Sequence, residues 1–280
     1  MTDDPSKPDR PNPAVRTLDR LGAPTVRALD HAGSLVHLLG QSAGWCARAI
    51  LSPRVRMGKT AIVSQIVRLG ARSIGIVSLV SGAIGLILAL QLAPPLDDFG
   101  QRAAVANIIS VAVLRELGPL IGAIVLTGFA GAAIAAELGT MVVSEEVEAL
   151  EAIALSPVRF LVVPRVFATV VSMAALSVIS CVVSIGSALT VSVLVLDIPL
   201  AVYLENTLAQ AKLIDFATGV LKGTVFGLLI GLIACGNGLK VRGGAAGVGR
   251  ATTATVVESV VAIVIADLLV TTIFYALGLF

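Results

Sequence analysis

The sequence predicts an all-α integral membrane protein, with five transmembrane helices preceded by an interfacial, elbow-like helix. The first observation is composition: of 280 residues, 56% are hydrophobic and 14% charged, and the mean hydropathy is +0.97. An average soluble domain carries roughly 25% charged residues. A soluble fold of this length has no way to hide so much apolar surface, because most of a globular surface faces water and a single core stops growing near this size. The second observation is arrangement. The apolar residues form long, unalternating runs that suit helices, whose backbone hydrogen bonds close within the segment, better than barrel strands. A net charge of +2 is too small to argue for a nucleic-acid partner. Cys46, Cys181 and Cys235 are far apart, and two of them lie in apolar runs where cysteine acts as a small hydrophobe. They are read as neither a disulfide nor a metal site.

In chain order, residues 1–13 are rich in Pro and Asp and read as a disordered tail. Residues 14–72 form a cytoplasmic or interfacial helical segment. Within it, Leu35, Leu38, Leu39, Trp45 and Ile50 make an apolar face with basic flanks, suited to the headgroup plane or to packing on the membrane domain. No signal peptide precedes it, since the first long apolar run begins at Ser73. Residues 73–280 form the membrane domain. A bilayer core of about 30 Å needs about 20 helical residues. The stretch 73–92 supplies them before Pro94 and Pro95 stop the helix. The second span, 103–136, is too long to be straight and contains Pro119, which predicts a tilt or a kink. The third is 166–196, the fourth 213–236 with Asp215 and Lys222, and the fifth 251–280 with Glu258 and Asp267. The glycine-rich stretch from Asn237 to Gly249 reads as a flexible linker.

Five spans place the termini on opposite sides, and basic residues choose which. With the N-terminus cytoplasmic, that side holds eleven Lys and Arg in residues 1–72 plus Arg159, Arg165, Lys240, Arg242 and Arg250. The other side holds only Arg102 and Lys212. This predicts a cytoplasmic N-terminus and an external C-terminus.

The segment from Glu137 to Pro157 carries Glu137, Glu145, Glu146, Glu148 and Glu151. Read as a helix capped by Ser144, it sets Val147, Leu150 and Ala154 on one face and glutamates on the rest. An anionic leaflet attracts basic segments, so an acidic helix suits a cytosolic protein partner or a solvated connection. Gly58-Lys59-Thr60 ends like a phosphate-binding loop, but Pro53 stands where that motif requires glycine and no strand precedes it. ATP hydrolysis therefore calls for another subunit.

The runs LRELGP at 114–119, GFAGAAIAAELGTMVVSEEVEALEAIALSPVRFLVVPR at 128–165 and GVGRATTATVVESVVAIVIADLLVTTIFY at 247–275 resemble the MlaE/YrbE family of ABC-transporter permeases. The resemblance covers roughly residues 60–280. It implies a multi-pass permease domain in a bacterial inner membrane, paired with a second identical or related permease. It further implies a cytosolic ABC ATPase that binds ATP, so that this chain needs no cofactor of its own, and an external MCE-domain protein. The expected activity is lipid movement between that membrane and the cell envelope, with the Glu137–Pro157 segment as the coupling helix.

Charges inside spans are costly, at least about 2.5–3.5 kcal/mol each. At 1.5 Å per residue, Arg115, Glu116, Lys222 and Asp267 all come to roughly 15–18 Å from the outer surface, and their charges sum to zero. This predicts one shared polar cluster, serving either as an ion-pair network that fixes packing or as a polar patch in a lipid cavity. An ion- or proton-coupled secondary transporter is the alternative that uses the same charges, although no inverted repeat is visible. A purely structural scaffold is a third. Gly223, Gly227 and Gly231 on span four, and Gly118 and Gly122 on span two, predict close helix contact, as internal packing or as a dimer seam. Tyr203, Tyr275 and Phe280 read as interface anchors.

Overall fold

A computed structural model describes residues 33–45 and 59–278, together with Val26, Asp30 and Arg48. The expected disordered tail, Cys46, Gly58 and Phe280 lie outside these residues. Among the described residues the secondary structure is helical throughout. The helices are α1 (33–45), α2 (Lys59–Leu69), α3 (Ile74–Asp98), α4 (Val105–Ala112), α5 (Gly118–Leu126) and α6 (Ala132–Val143). They continue as α7 (Glu146–Ala152), α8 (Val163–Leu194), α9 (Leu200–Gln210), α10 (Leu213–Leu239) and α11 (Gly244–Ala276). Five stretches are long and apolar enough to cross a bilayer: Thr60–Asp98, Arg102–Val143, Val158–Leu194, Leu213–Leu239 and Gly244–Ala276.

Each span is longer than its apolar run, and the reasons are local. Span one continues backwards through a short 3-10 turn at Ala71–Ser73 into α2, so the first apolar residue is not the first helical one. Pro94 and Pro95 do not stop α3, which runs on to Asp98. Two prolines this close to a helix end remove few ladder bonds, and the last turn closes with the Gly100 and Gln101 amides donating to Asp97 and Leu96. The glycine-rich linker shrinks to Lys240–Gly243, because α10 and α11 extend into it from both sides. There Gly238 and Gly247 lie buried, with Leu138 and the Arg242 backbone where a Cβ would stand.

Span two, where Pro119 predicts a tilt or a kink, contains two π-helical turns, at Val113–Leu117 and Thr127–Gly131. The first lies just before Pro119, and a third, Val158–Val162, lies just before Pro164. A proline has no N–H and its ring crowds the carbonyl four residues back, so a widened turn there relieves both problems.

The centre of the bundle is α8, packed against α3, α5 and α10, with α6 and α11 closing on α10. Of the most apolar stretch of span five only 11% is buried, against 56% in spans two and four, so span five is peripheral. Small residues permit the central contacts. Ser81 and Ser180 share a hydrogen bond of 2.7 Å, and the Ser184 hydroxyl donates to the Ser81 carbonyl at 2.8 Å, tying α3 to α8 in the manner of helices without water between them. Gly223, Gly227 and Gly231 face α8, and Gly118 and Gly122 face Cys181 and Met173. The glycine stripes are internal seams. A Cβ on Gly227 would sit 2.7 Å from the Thr169 carbonyl and 2.8 Å from Met173. Gly227→Val is therefore expected to cost about 1–3 kcal/mol by overpacking, read as a lowered thermal midpoint of the purified protein. Gly75→Ala, whose Cβ would meet nothing within 4 Å, should leave the midpoint unlowered or slightly raised, since alanine favours the helix over glycine.

Tyr203 is not an interface anchor. It is 1% exposed, in a core cluster with Ile109, Leu114 and Ala188, and burial pushes its phenol up to about 12. Its helix, α9, folds back over α4 and α8, which the sequence pattern of an outer loop does not reveal. Tyr275, by contrast, is 78% exposed. Cys181 and Cys235 are buried and free.

Candidate functional site

The widened turn at Val113–Leu117 carries both Arg115 and Glu116, and the structure sends them to different partners. Glu116 reaches Lys222 of α10, whose Nζ lies 2.5 Å from Glu116 Oε2 and 2.9 Å from Asp267 Oδ1 of α11. The same ammonium donates to Thr271 Oγ1 at 2.6 Å, and the Thr271 hydroxyl donates to Glu116 Oε1 at 3.1 Å. Lys222 is fully buried, while the Glu116 side chain is 33% exposed. Spans two, four and five are thus joined through one cation. Lys222 lies nine residues from Leu213 and Asp267 nine from Ala276, about 14 Å in from the end of the bundle that carries α9.

Arg115 does not join this group. Its Nε lies 2.7 Å from Asp215 Oδ1, and Asp215 is buried in the first turn of α10. The expected neutral set of four is a trio of two carboxylates and one ammonium beside a separate Arg–Asp pair. Asp215 and Thr271 were not among the expected site residues. The available signal was register: Asp215 precedes Lys222 by seven residues and Thr271 follows Asp267 by four, two turns and one turn along the same face.

Arg115 and Glu116 also line a cavity of about 510 Å³ with Asn107, Ile108, Val111 and Gln210. A second cavity of about 350 Å³, lined by Leu114, Ile185, Leu189, Tyr203 and Phe216, is almost wholly apolar. Two cavities, one with a charged wall and one apolar, therefore flank α9.

At the opposite end of the bundle the five glutamates separate into two groups. Glu137 lies inside α6 and holds Arg68 at 2.9 Å and the buried Arg165 at 3.2 Å. It clamps spans one, two and three together. Arg165 also donates to the Leu161 carbonyl at 2.8 Å, collecting a backbone acceptor in the π turn before Pro164. Glu145, Glu146, Glu148 and Glu151 are exposed on or beside α7, while Val147 and Leu150 pack on the bundle core. The helix is shorter than expected. Ser144 does not cap it but ends α6, its hydroxyl donating to the Thr140 carbonyl at 3.0 Å. Glu145 turns the chain at φ 60 and Ala154 ends the segment at φ 59. Ala154 therefore leaves the apolar face on which the spacing placed it.

Comparison with known proteins matches residues 62–273 to the family model described as Permease MlaE. The chain is 36% identical over 214 residues to the "Probable ABC transporter permease protein" of Rickettsia prowazekii, covering 76% of this chain and 83% of that protein. It is 34% identical over 218 residues to the corresponding protein of Synechocystis, covering 78% and 82%. It is also 32% identical over 233 residues to the chloroplastic protein TRIGALACTOSYLDIACYLGLYCEROL 1 of Arabidopsis thaliana, covering 83% and 66%. The matched region spans the trio, the clamp and the short acidic helix, and on this evidence the chain belongs to the MlaE permease family of ABC transporters.

Proposed function

We propose that this permease subunit moves a phospholipid or related lipid between its own membrane and the cell envelope, driven by a separate cytosolic ATPase and delivering to or from an MCE-domain protein. The observation that carries the reading is the trio of Glu116, Lys222 and Asp267, set deep in apolar helices with Glu116 opening onto a mostly apolar cavity. A lipid needs such a combination, with apolar walls for the chains and a few charges for the headgroup. The name of the Arabidopsis relative, which contains a glycerolipid, points the same way.

In this reading the α7 end faces the cytoplasm, because Arg68, Arg72, Arg159, Arg165, Lys240, Arg242 and Arg250 lie there while Arg102 and Lys212 lie at the α9 end. The four exposed glutamates of the α7 segment then receive the ATPase, and the apolar side of α7 passes its motion to the core. A second permease copy, identical or related, completes the transporter and covers part of the exposed spans.

The test is co-purification followed by transport. The chain should retain an ABC ATPase through purification, and Glu145, Glu146, Glu148 and Glu151 replaced together by Gln should reduce retention at least fivefold without altering the thermal midpoint. Lipid transfer by the isolated chain under an ion gradient, with no ATPase present, would replace this reading with a secondary transporter.

A further inference from the structure

Away from the trio, at the α7 end, two arginines from distant parts of the chain converge on one aromatic ring. The guanidinium carbon of Arg48 lies 5.1 Å from the centre of the Trp45 ring, and that of Arg159 lies 5.3 Å from the same ring and 5.2 Å from Phe160. Arg68, Arg115 and Arg165 each hold a carboxylate. Among the described residues Arg48 and Arg159 hold none. Two like charges gathered on one ring, with no acid between them among the described residues, make a local excess of positive charge, and guanidinium groups are suited to gripping a phosphate with paired N–H donors.

A cavity of about 320 Å³ opens at this place, lined by Gly40, Gln41, Gly44, Trp45, Arg48 and Ser156. A Cβ on Gly40 or Gly44 would meet nothing within 4 Å, so the α1 wall of the cavity is bare backbone. Gln41 and Ser156 add neutral hydrogen-bonding groups. On the opposite face of α1, Leu39, Ser42 and Ala43 border a different cavity of about 180 Å³, closed by Val163, Val166 and Phe167 and nearly free of polar surface. The helix thus separates a cationic, polar pocket from an apolar one. Tryptophan at the rim belongs at headgroup depth.

We infer that the pocket beside Trp45, with Arg48 in its wall and Arg159 stacked on the same ring, binds the phosphate of an anionic phospholipid headgroup whose acyl chains lie in the surrounding leaflet. A tryptophan at headgroup depth suits an amphiphile better than a free ion, and two arginines that hold no carboxylate among the described residues suit an anionic headgroup better than a zwitterionic one. This site holds a resident lipid of the surrounding leaflet. It shares no residue with the Glu116–Lys222–Asp267 trio, so either assignment can fail alone.

The test uses the full chain, purified with its associated subunits in detergent, and dihexanoyl phosphatidylglycerol, dihexanoyl phosphatidylcholine and sodium phosphate at matched ionic strength. Phosphatidylglycerol should raise the thermal midpoint saturably, with an apparent affinity at least tenfold above that of phosphatidylcholine. The double variant Arg48→Gln/Arg159→Gln should lose that tenfold preference while keeping the wild-type midpoint without lipid. Should the double variant unfold, Gly44→Leu, which fills the pocket where space is open and leaves both charges, should weaken phosphatidylglycerol binding by a similar factor. Equal affinity for the two lipids, or unchanged preference in the pocket variants, overturns the proposal. Competition by inorganic phosphate at the lipid's own concentration assigns a free-phosphate site instead. Loss of ATPase retention with lipid preference intact assigns a protein-docking face, and both results overturn it.

Discussion

Lys222→Met is expected to abolish lipid transport and to lower stability by about 3–5 kcal/mol, the usual cost of removing one partner from a buried ion pair. Lys222 is fully buried and touches Glu116, Asp267 and Thr271, so its loss leaves two carboxylates facing each other across a threonine with no cation. A loss of transport from this variant alone does not separate a packing role from a lipid-contacting one. The triple variant Glu116→Gln/Lys222→Met/Asp267→Asn does, because it leaves no uncompensated charge. Its thermal midpoint should return to within a few degrees of wild type, since neutral replacement of a whole buried network is often harmless to stability. Its lipid transfer between vesicles should stay at least tenfold reduced. A stable triple variant that transports at the wild-type rate would show that the trio only fixes the packing of spans two, four and five.

Arg165→Met should separate ATP hydrolysis from transport. Arg165 is 6% exposed and joins the Glu137 carboxylate of α6 to the π turn that opens span three, and α7 lies on the connection between those two spans. Without Arg165, Glu137 keeps only Arg68, and the Leu161 carbonyl loses its donor, a loss of about 1.5–3 kcal/mol for hydrogen bonds to a charged group. If α7 receives the ATPase as proposed, loosening the α6–span three clamp on either side of it should weaken transmission to the core. The expected result is ATP hydrolysis by the purified complex within twofold of wild type and lipid transfer reduced about tenfold. Arg165→Lys keeps the charge but not the forked geometry and should recover part of the transfer. Parallel loss of hydrolysis and transfer would instead assign Arg165 to holding the ATPase in place.

Much of the architecture is legible in the primary structure because lipid leaves so few alternatives. Runs of some twenty predominantly apolar residues with few charges are read as membrane helices, and five such stretches occur among the described residues. Helix ends are less legible, since the hydrophobic pattern marks where lipid begins and the backbone ladder continues beyond it. Pro94, Pro95 and the glycines near Lys240 show this, each lying in or beside a helix that the local signal would end. The acidic segment fails in the opposite direction, because left-handed turns at Glu145 and Ala154 shorten to seven residues a helix that spacing alone would extend.

The candidate site divides in the same way. Which residues are out of place in a membrane is a property of the sequence, and Arg115, Glu116, Lys222 and Asp267 stand out at similar depth because charge in hydrocarbon is costly wherever it occurs. Which of them meet is a property of the folded bundle. Arg115 and Glu116 are consecutive in the π turn of span two, yet they meet α10 at different levels, Glu116 at Lys222 and Arg115 at Asp215. The burial of Tyr203 where α9 packs on α4 and α8, the clamp of Glu137 on two arginines and the convergence of Arg48 and Arg159 on Trp45 are likewise decided by tertiary packing. Composition sets the solvent in which a chain folds, and hence its class and the residues it can ill tolerate. Pairing depends on helix rotation, crossing and bend, and these are settled only when side chains from distant segments occupy the same space.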